Sequence, residues 1–309
     1  MPKSSGQRST VTRRGTITFE VLSLFLLMSA CVQPPSQPET PPPPAPVQVA
    51  DTLPVLPAFT PFDRSSIRAR LEKKKEAGIP LVVHVFVPLC DNEHQGIIPV
   101  NASLGDGMNL KTNLYWGARY GVKSHFRNRS SWELLESRPD PGPDVLERVI
   151  FKKTYSPTTS VILIADAYRG DRMTECVAGF FSALAGATQD TIYQIFGSPD
   201  LLAFNGHNGL MDFIDLDPEI DRDTLRRDAA VIACASNGYF HDRLNYAGGY
   251  PLVTTTNLMA PEAYVLEAVI DSWAQGQTEN EILNSAGVAY HHYQQCGEKG
   301  ARRLFTGGW

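Results

Sequence analysis

The chain has 309 residues, a formal net charge of -5 and 42% hydrophobic residues, with no basic patch of the kind that tracks a phosphate backbone. That balance argues against a nucleic-acid partner. After the first 60 residues come roughly 250 of ordinary globular composition, enough for one large domain, and no internal repeat divides them.

The N-terminal stretch carries Lys3, Arg8, Arg13 and Arg14, then the apolar run Val21 to Met28, then Ser29 and Ala30 directly before Cys31. A charged stretch, a short apolar core and small residues at a cleavage point make residues 1–30 a signal peptide. A membrane span would need about 20 apolar residues, and this run is much shorter. Met28-Ser29-Ala30-Cys31 resembles the lipobox of bacterial lipoproteins. The resemblance implies that Cys31 is lipidated and becomes the anchored N-terminus in the cell envelope. Val32, which replaces an Asp that often retains such proteins at the inner membrane, implies the outer membrane. Residues 31–60 include Pro41 to Pro44 and lack apolar periodicity. Such a segment favours polyproline II and acts as a semi-rigid tether, at about 3.1 Å per residue.

In residues 61–309 the spacing predicts a helix from Ser65 to Ala77, with Ile67 and Leu71 on one face and Gly78 as its stop. The near-continuous apolar run Pro80 to Pro88 reads as a strand buried on both faces, as in parallel sheets. A helix over Lys111 to Tyr120 is expected next, then a hairpin of Trp132–Glu136 and Leu146–Lys152 turned by Pro139 to Asp144. Further buried strands are expected at Ser160–Ala165, Asp200–Asn205, Ala229–Ala233 and Tyr250–Thr255. Between and after them, Asp171 is expected to cap a helix whose Met173, Cys176, Val177, Phe180, Phe181 and Leu184 form one stripe. Pro261 is expected to open a helix that ends at Gly276, and Thr278 with Glu281 to form the capping box of the last one. Strands alternating with helices predict an α/β fold. We expect one three-layer domain with a mostly parallel sheet of about five to six strands and right-handed crossovers.

Ligands of open α/β sheets bind beyond the carboxyl ends of the strands. There the chain has Gly206-His207-Asn208-Gly209 after one apolar run and Cys234-Ala235-Ser236 after the next. An imidazole beside a thiol can take its proton and return it to a leaving group, and glycines around it expose amides that can hold an oxyanion. In these two motifs the chain resembles the caspase-like cysteine peptidases, the group that includes clostripain, gingipain and legumain. The resemblance implies a caspase-like fold over roughly Pro80 to Gln295. Cys234 would be the nucleophile, His207 the general base and acid, and the amides of Cys234 and of Asn208 or Gly209 the oxyanion site, with Gly206 supporting the turn. Asn208 stands where that family has Gly, and Cys234 follows His207 by only 27 residues, which is short for it. A peptide or protein substrate in the envelope is implied, with no cofactor. Asp91, Glu93 and Asp166 lie at strand ends that supply the family's side-chain pocket and are candidates to receive a basic group.

Plainer readings stand beside these. Cys90, Cys176, Cys234 and Cys296 could hold two disulfides in an exported protein, or Cys90 could pair with Cys296 and leave Cys234 free. Cys176 reads as a core thiol, His84 as a core histidine, and at least one of His291 and His292 as plain surface. Cys90-Asp91-Asn92-Glu93-His94 matches no standard zinc spacing, so no metal is expected. Tyr115, Trp116 and Tyr120 suit either core or a binding platform. The second functional class left open is a non-catalytic lipoprotein module for binding or assembly on the same scaffold.

Overall fold

The computed structural model describes residues 60–188, 190–212 and 221–309. The signal peptide, the lipidated Cys31 and nearly all of the tether expected from the sequence lie outside these residues.

The first helix, α1 (Ser65–Glu76), buries Ile67 and Leu71 and stops where Gly78 takes a φ of +66°, a conformation that a side chain disfavours. It leads into β1 (Leu81–Pro88), which is buried along its whole length. Leu81, Val83, Val85 and Val87 enter one core, whereas Val82 and Phe86 enter two clusters on the other face. Two apolar faces on one strand require a layer of helices on each side.

Six further strands complete the main sheet and an eighth closes its edge: β2 (Glu133–Gly142), β3 (Val145–Thr154), β4 (Ser160–Tyr168), β5 (Leu201–Asn205), β6 (Arg227–Ile232), β7 (Gly249–Thr255) and β8 (Phe305–Thr306). Their order is β2-β3-β4-β1-β5-β6-β7-β8. The run β4-β1-β5-β6-β7 is parallel, while β2, β3 and β8 pair antiparallel. The mostly parallel α/β sheet expected from the apolar runs is thus present. Among the described residues it has eight strands rather than five or six, because the hairpin adds two at one edge and the chain end adds β8 at the other.

One helical layer contains α1, α2 (Val122–Arg127), α6 (Ala263–Ala274), α7 (Glu279–Gln294) and α8 (Glu298–Leu304), whose buried residues join the larger core. The other contains α3 (Met173–Ala185), α4 (Thr191–Phe196) and α5 (Ser236–Ala247). There Phe180, Phe181, Phe204 and Phe240 pack ring against ring. Burial of such a side chain contributes roughly 1.5–3 kcal/mol. No helix among the described residues is long and apolar enough to cross a membrane.

The chain enters at the amino ends of the strands. The Arg64 guanidinium donates to both carboxylate oxygens of Asp228, near the start of β6, at 2.6 Å each. Beside it Trp309 Nε1 donates to the Phe62 carbonyl at 2.8 Å, with the two rings edge to face 5.5 Å apart.

Local chemistry moved several boundaries. The capping box of α7 forms as expected, with Glu281 N–H on Thr278 Oγ1 and Thr278 N–H on Glu281 Oε2. Asp171 does not cap α3: both its oxygens accept from Arg169, and Arg172 takes the cap position without a side-chain bond. Pro261 lies two residues before the first residue of α6 instead of opening it, since Glu262 is the cap. Lys111 to Tyr120 forms turns rather than a helix. Asn113 Oδ1 accepts from the amides of Cys90 and Tyr115, and its Nδ2 donates to the carbonyls of Cys90 and Asp106; Asn109 Oδ1 accepts from Lys111 and Thr112. Side chains that satisfy backbone groups in this way compete with helix formation. The hairpin turns at Pro143-Asp144, and β2 continues through Pro139 and Pro141, which an edge strand tolerates.

Candidate active site

The parallel strands run, in chain order, as second, first, third, fourth and fifth across the sheet, so the connection reverses direction between β1 and β5. A crevice opens beyond the carboxyl ends at such a point. The chain closes tightly there: a methyl group on Gly206, just after β5, would lie 2.9 Å from Pro88 Cγ at the end of β1. The Gly206 amide donates to Ile232 O at 3.2 Å, holding the β5 exit to the end of β6.

His207 follows and is 7% exposed. Asn208, fully buried, winds the chain into a short 3-10 turn, Gly209–Asp212: its Oδ1 accepts from Leu210 N–H at 3.1 Å and its carbonyl from Met211 N–H at 3.0 Å. That turn brings Asp212 back to His207, and Nε2 of the imidazole lies 2.8 Å from Asp212 Oδ2. The same oxygen accepts from Gly96 N–H at 3.2 Å, so the loop after β1 meets the loop after β5 at this carboxylate.

Cys234 lies beyond β6 in the turn that starts α5, half-buried and free. Its sulfur is held by one residue of the loop after β7, accepting from Met259 N–H at 3.3 Å and donating to Met259 O at 3.4 Å. Ala235, next in the chain, has the left-handed φ of +46°. This conformation is anchored: the Ala235 amide donates to Asn257 O, Ser236 N–H to Thr255 Oγ1, Thr255 N–H to Ser236 Oγ, and Ser236 Oγ–H to Val231 O. The Thr255 hydroxyl bonds the Ala233 carbonyl. A strained turn kept by so many bonds holds the thiol in a set position.

The two loops are joined directly. Asn208 Nδ2 donates to the Cys234 carbonyl at 2.7 Å. Among the described residues the backbone amides of Asn208, Gly209 and Cys234 donate to no hydrogen bond, and His207 Nδ1 makes none either. The imidazole bonds Asp212 and the thiol bonds Met259, so in this arrangement His207 and Cys234 do not bond each other. Catalytic bonds commonly tighten only once substrate is bound.

The hydroxyls of Tyr115 and Tyr290 both feel the charge of the Cys234 thiol. Burial pushes the Tyr115 hydroxyl well up, with Cys90 and Cys234 adding to the effect, and the Tyr290 hydroxyl accepts from Ala260 N–H. Burial also raises the Cys90 thiol to about 11 and the Cys176 thiol well above its ordinary value. All four described cysteines are free, so the disulfides allowed by the sequence are absent among the described residues.

The three carboxylates named for a pocket are dispersed. Asp91 is buried, and its oxygens accept from the amides of Glu93 and His94 and bond His94 Nδ1, which shapes the loop after β1. Glu93 is exposed on that loop. Asp166 is sealed within the sheet on the α3/α4 face. Its oxygens take a forked pair from Arg148 at 2.6 and 2.7 Å and a bond from His84 Nε2 at 2.9 Å. Burial raises its pKa, but Arg148 and His84 outweigh that and hold it down to about 2. His84 is therefore a bonded core histidine, with Tyr193 on its other nitrogen.

Sequence reasoning missed Asp212, Met259 and Thr255. Only Asp212 has a local signal, since Asn208-Gly209 is a turn-forming pair that returns the chain on itself within a few residues.

No protein-family model, curated protein or solved structure matches the chain. What fold and site define is a class: a three-layer α/β domain with one mostly parallel sheet, carrying an imidazole and a thiol beyond the carboxyl ends of neighbouring strands.

Proposed function

We propose that the protein is an envelope-anchored cysteine hydrolase of caspase-like type that cleaves peptides with a Cys234/His207 dyad. The single observation that carries this reading is the Asn208–Cys234 bond of 2.7 Å, which ties the imidazole loop to the thiol loop at the carboxyl edge of the sheet. His207 Nδ1 takes the proton from the Cys234 thiol, and the thiolate attacks the scissile carbonyl carbon. The unspent amides of Cys234 and Asn208 receive the oxyanion. As the carbon–nitrogen bond breaks, the proton passes from Nδ1 to the leaving amine, and water then hydrolyses the thioester. Asn208 differs from the Gly of the caspase-like family in having a side chain, but that side chain is turned to Cys234 O and leaves its own amide free. The envelope address rests on the charged, apolar and small-residue order before Cys31.

The test is to treat the native protein with iodoacetamide across pH and map the adducts. Preferential modification of Cys234 below about pH 7, abolished in His207→Ala, is expected. Modification that ignores His207 would favour the second reading, a binding or assembly module without turnover. The bonds from Met259 to the Cys234 sulfur are the observation on that side, since they cap the thiol.

A further inference from the structure

Among the described residues His207 is held at only one of its ring nitrogens. Nε2 lies 2.8 Å from Asp212 Oδ2, and a carboxylate can only accept, so the proton of the neutral ring sits on Nε2 and the lone pair on Nδ1. Asp212 is itself fixed from two directions. Asn208 winds the 3-10 turn that carries it, and Gly96 N–H donates to the same oxygen. Gly96 also has no space for a side chain, because a methyl group there would overlap Asp212 Oδ1. A buried ring, a partly shielded carboxylate and a donor from a third element are more than a surface ion pair needs.

We infer that Asp212 is a positioning residue that holds the His207 ring in the Nε2-protonated tautomer, presenting Nδ1 as the site that takes the thiol proton. It rests on the dyad reading and adds a third member to it, from the loop five residues after the histidine. Once Nδ1 is protonated, the ring carries a positive charge and Asp212 faces it, which favours the ion-paired state from which the thiolate attacks.

The experiment uses nitrogen NMR on the 15N-labelled protein, since the ring shifts of His207 separate the two tautomers, together with the rate of Cys234 modification by iodoacetamide. In the neutral ring the Nε2-protonated form is expected to dominate in the native protein. In Asp212→Ala the tautomers are expected to mix and the Cys234 rate to fall about 10–100-fold, with Asp212→Glu recovering part of both. Gly96→Ala, which keeps the carboxylate but displaces it, is expected to act in the same direction and serves if Asp212→Ala does not fold. An unchanged tautomer in Asp212→Ala and Gly96→Ala would overturn the inference. A changed tautomer with a Cys234 rate indifferent to His207→Ala would instead remove the hydrolase reading and leave the Asp212 role standing.

Discussion

Asn208 and Cys234 are joined side chain to backbone, Nδ2 to carbonyl oxygen at 2.7 Å, with Asn208 fully buried. The brace gives the first prediction. Asn208→Asp keeps the oxygen that accepts from Leu210 N–H but sets a second acceptor against the Cys234 carbonyl. An unsatisfied buried carbonyl costs about 1–3 kcal/mol, so thermal unfolding should begin about 2–10 °C lower. Cys234 modification should slow as well. A variant with native stability and native thiol kinetics would show that the bond is dispensable.

Thiol accessibility and ionisation together rank the cysteines. Cys90 and Cys176 are buried and pushed up, Cys90 to about 11, and a thiol that stays protonated is a poor nucleophile. Brief iodoacetamide treatment of the native protein at about pH 8 should label Cys234 and the exposed Cys296 and spare the other two. All four should react after denaturation. Mass spectrometry of the peptides reads the result, and early labelling of Cys90 would contradict the packing described.

The Arg148, Asp166 and His84 cluster makes stability depend on acid. A carboxyl held down to about 2 from an ordinary 3.8 stabilises the fold while ionised. The contribution is complete above the ordinary value and is lost as pH falls from 3.8 towards about 2. Its size is on the order of 2 kcal/mol. Arg148→Ala leaves Asp166 buried and unpaired by its guanidinium, which should cost about 3–5 kcal/mol at neutral pH. Denaturant titrations at several pH values measure both effects, and the variant should show a weaker acid dependence than the native protein between those limits.

Ala235 has a φ of +46° and a ψ of +31° at the cap of α5, a conformation that costs a residue with a side chain roughly 1–2 kcal/mol. Ala235→Gly should recover about 1 kcal/mol of it and raise the thermal midpoint by a few degrees. Ala235→Val should lower it. The same Gly variant is expected to reduce Cys234 reactivity, because glycine loosens the turn whose Cys234 carbonyl is held by Asn208 and whose sulfur is held by Met259.

The parallel strands were legible because burial on both faces leaves a near-continuous apolar run, as in Leu81 to Val87, broken only by His84, and Val161 to Ala165. At the edges the hairpin was legible, but not how far β2 runs, because it is mostly exposed and contains Pro139 and Pro141, and β8 was missed because it has two residues. The segment after β1 misled because its order comes from Asn109 and Asn113 bonding to backbone, which no periodicity records. At the site, the strand-end positions of His207 and Cys234 follow from the apolar runs before them. Asp212 does not, since a turn only four residues long brings it back. Met259 and Thr255 act through contacts between β7 and β6 that exist only once the sheet has formed.

Arg64 meets Asp228 at the amino end of β6, whereas Cys234 lies past its carboxyl end. The point where the chain enters the domain and the candidate cleft are thus at opposite poles of the sheet. A peptide can therefore approach the edge that carries Cys234 without passing the segment by which the described chain enters the domain.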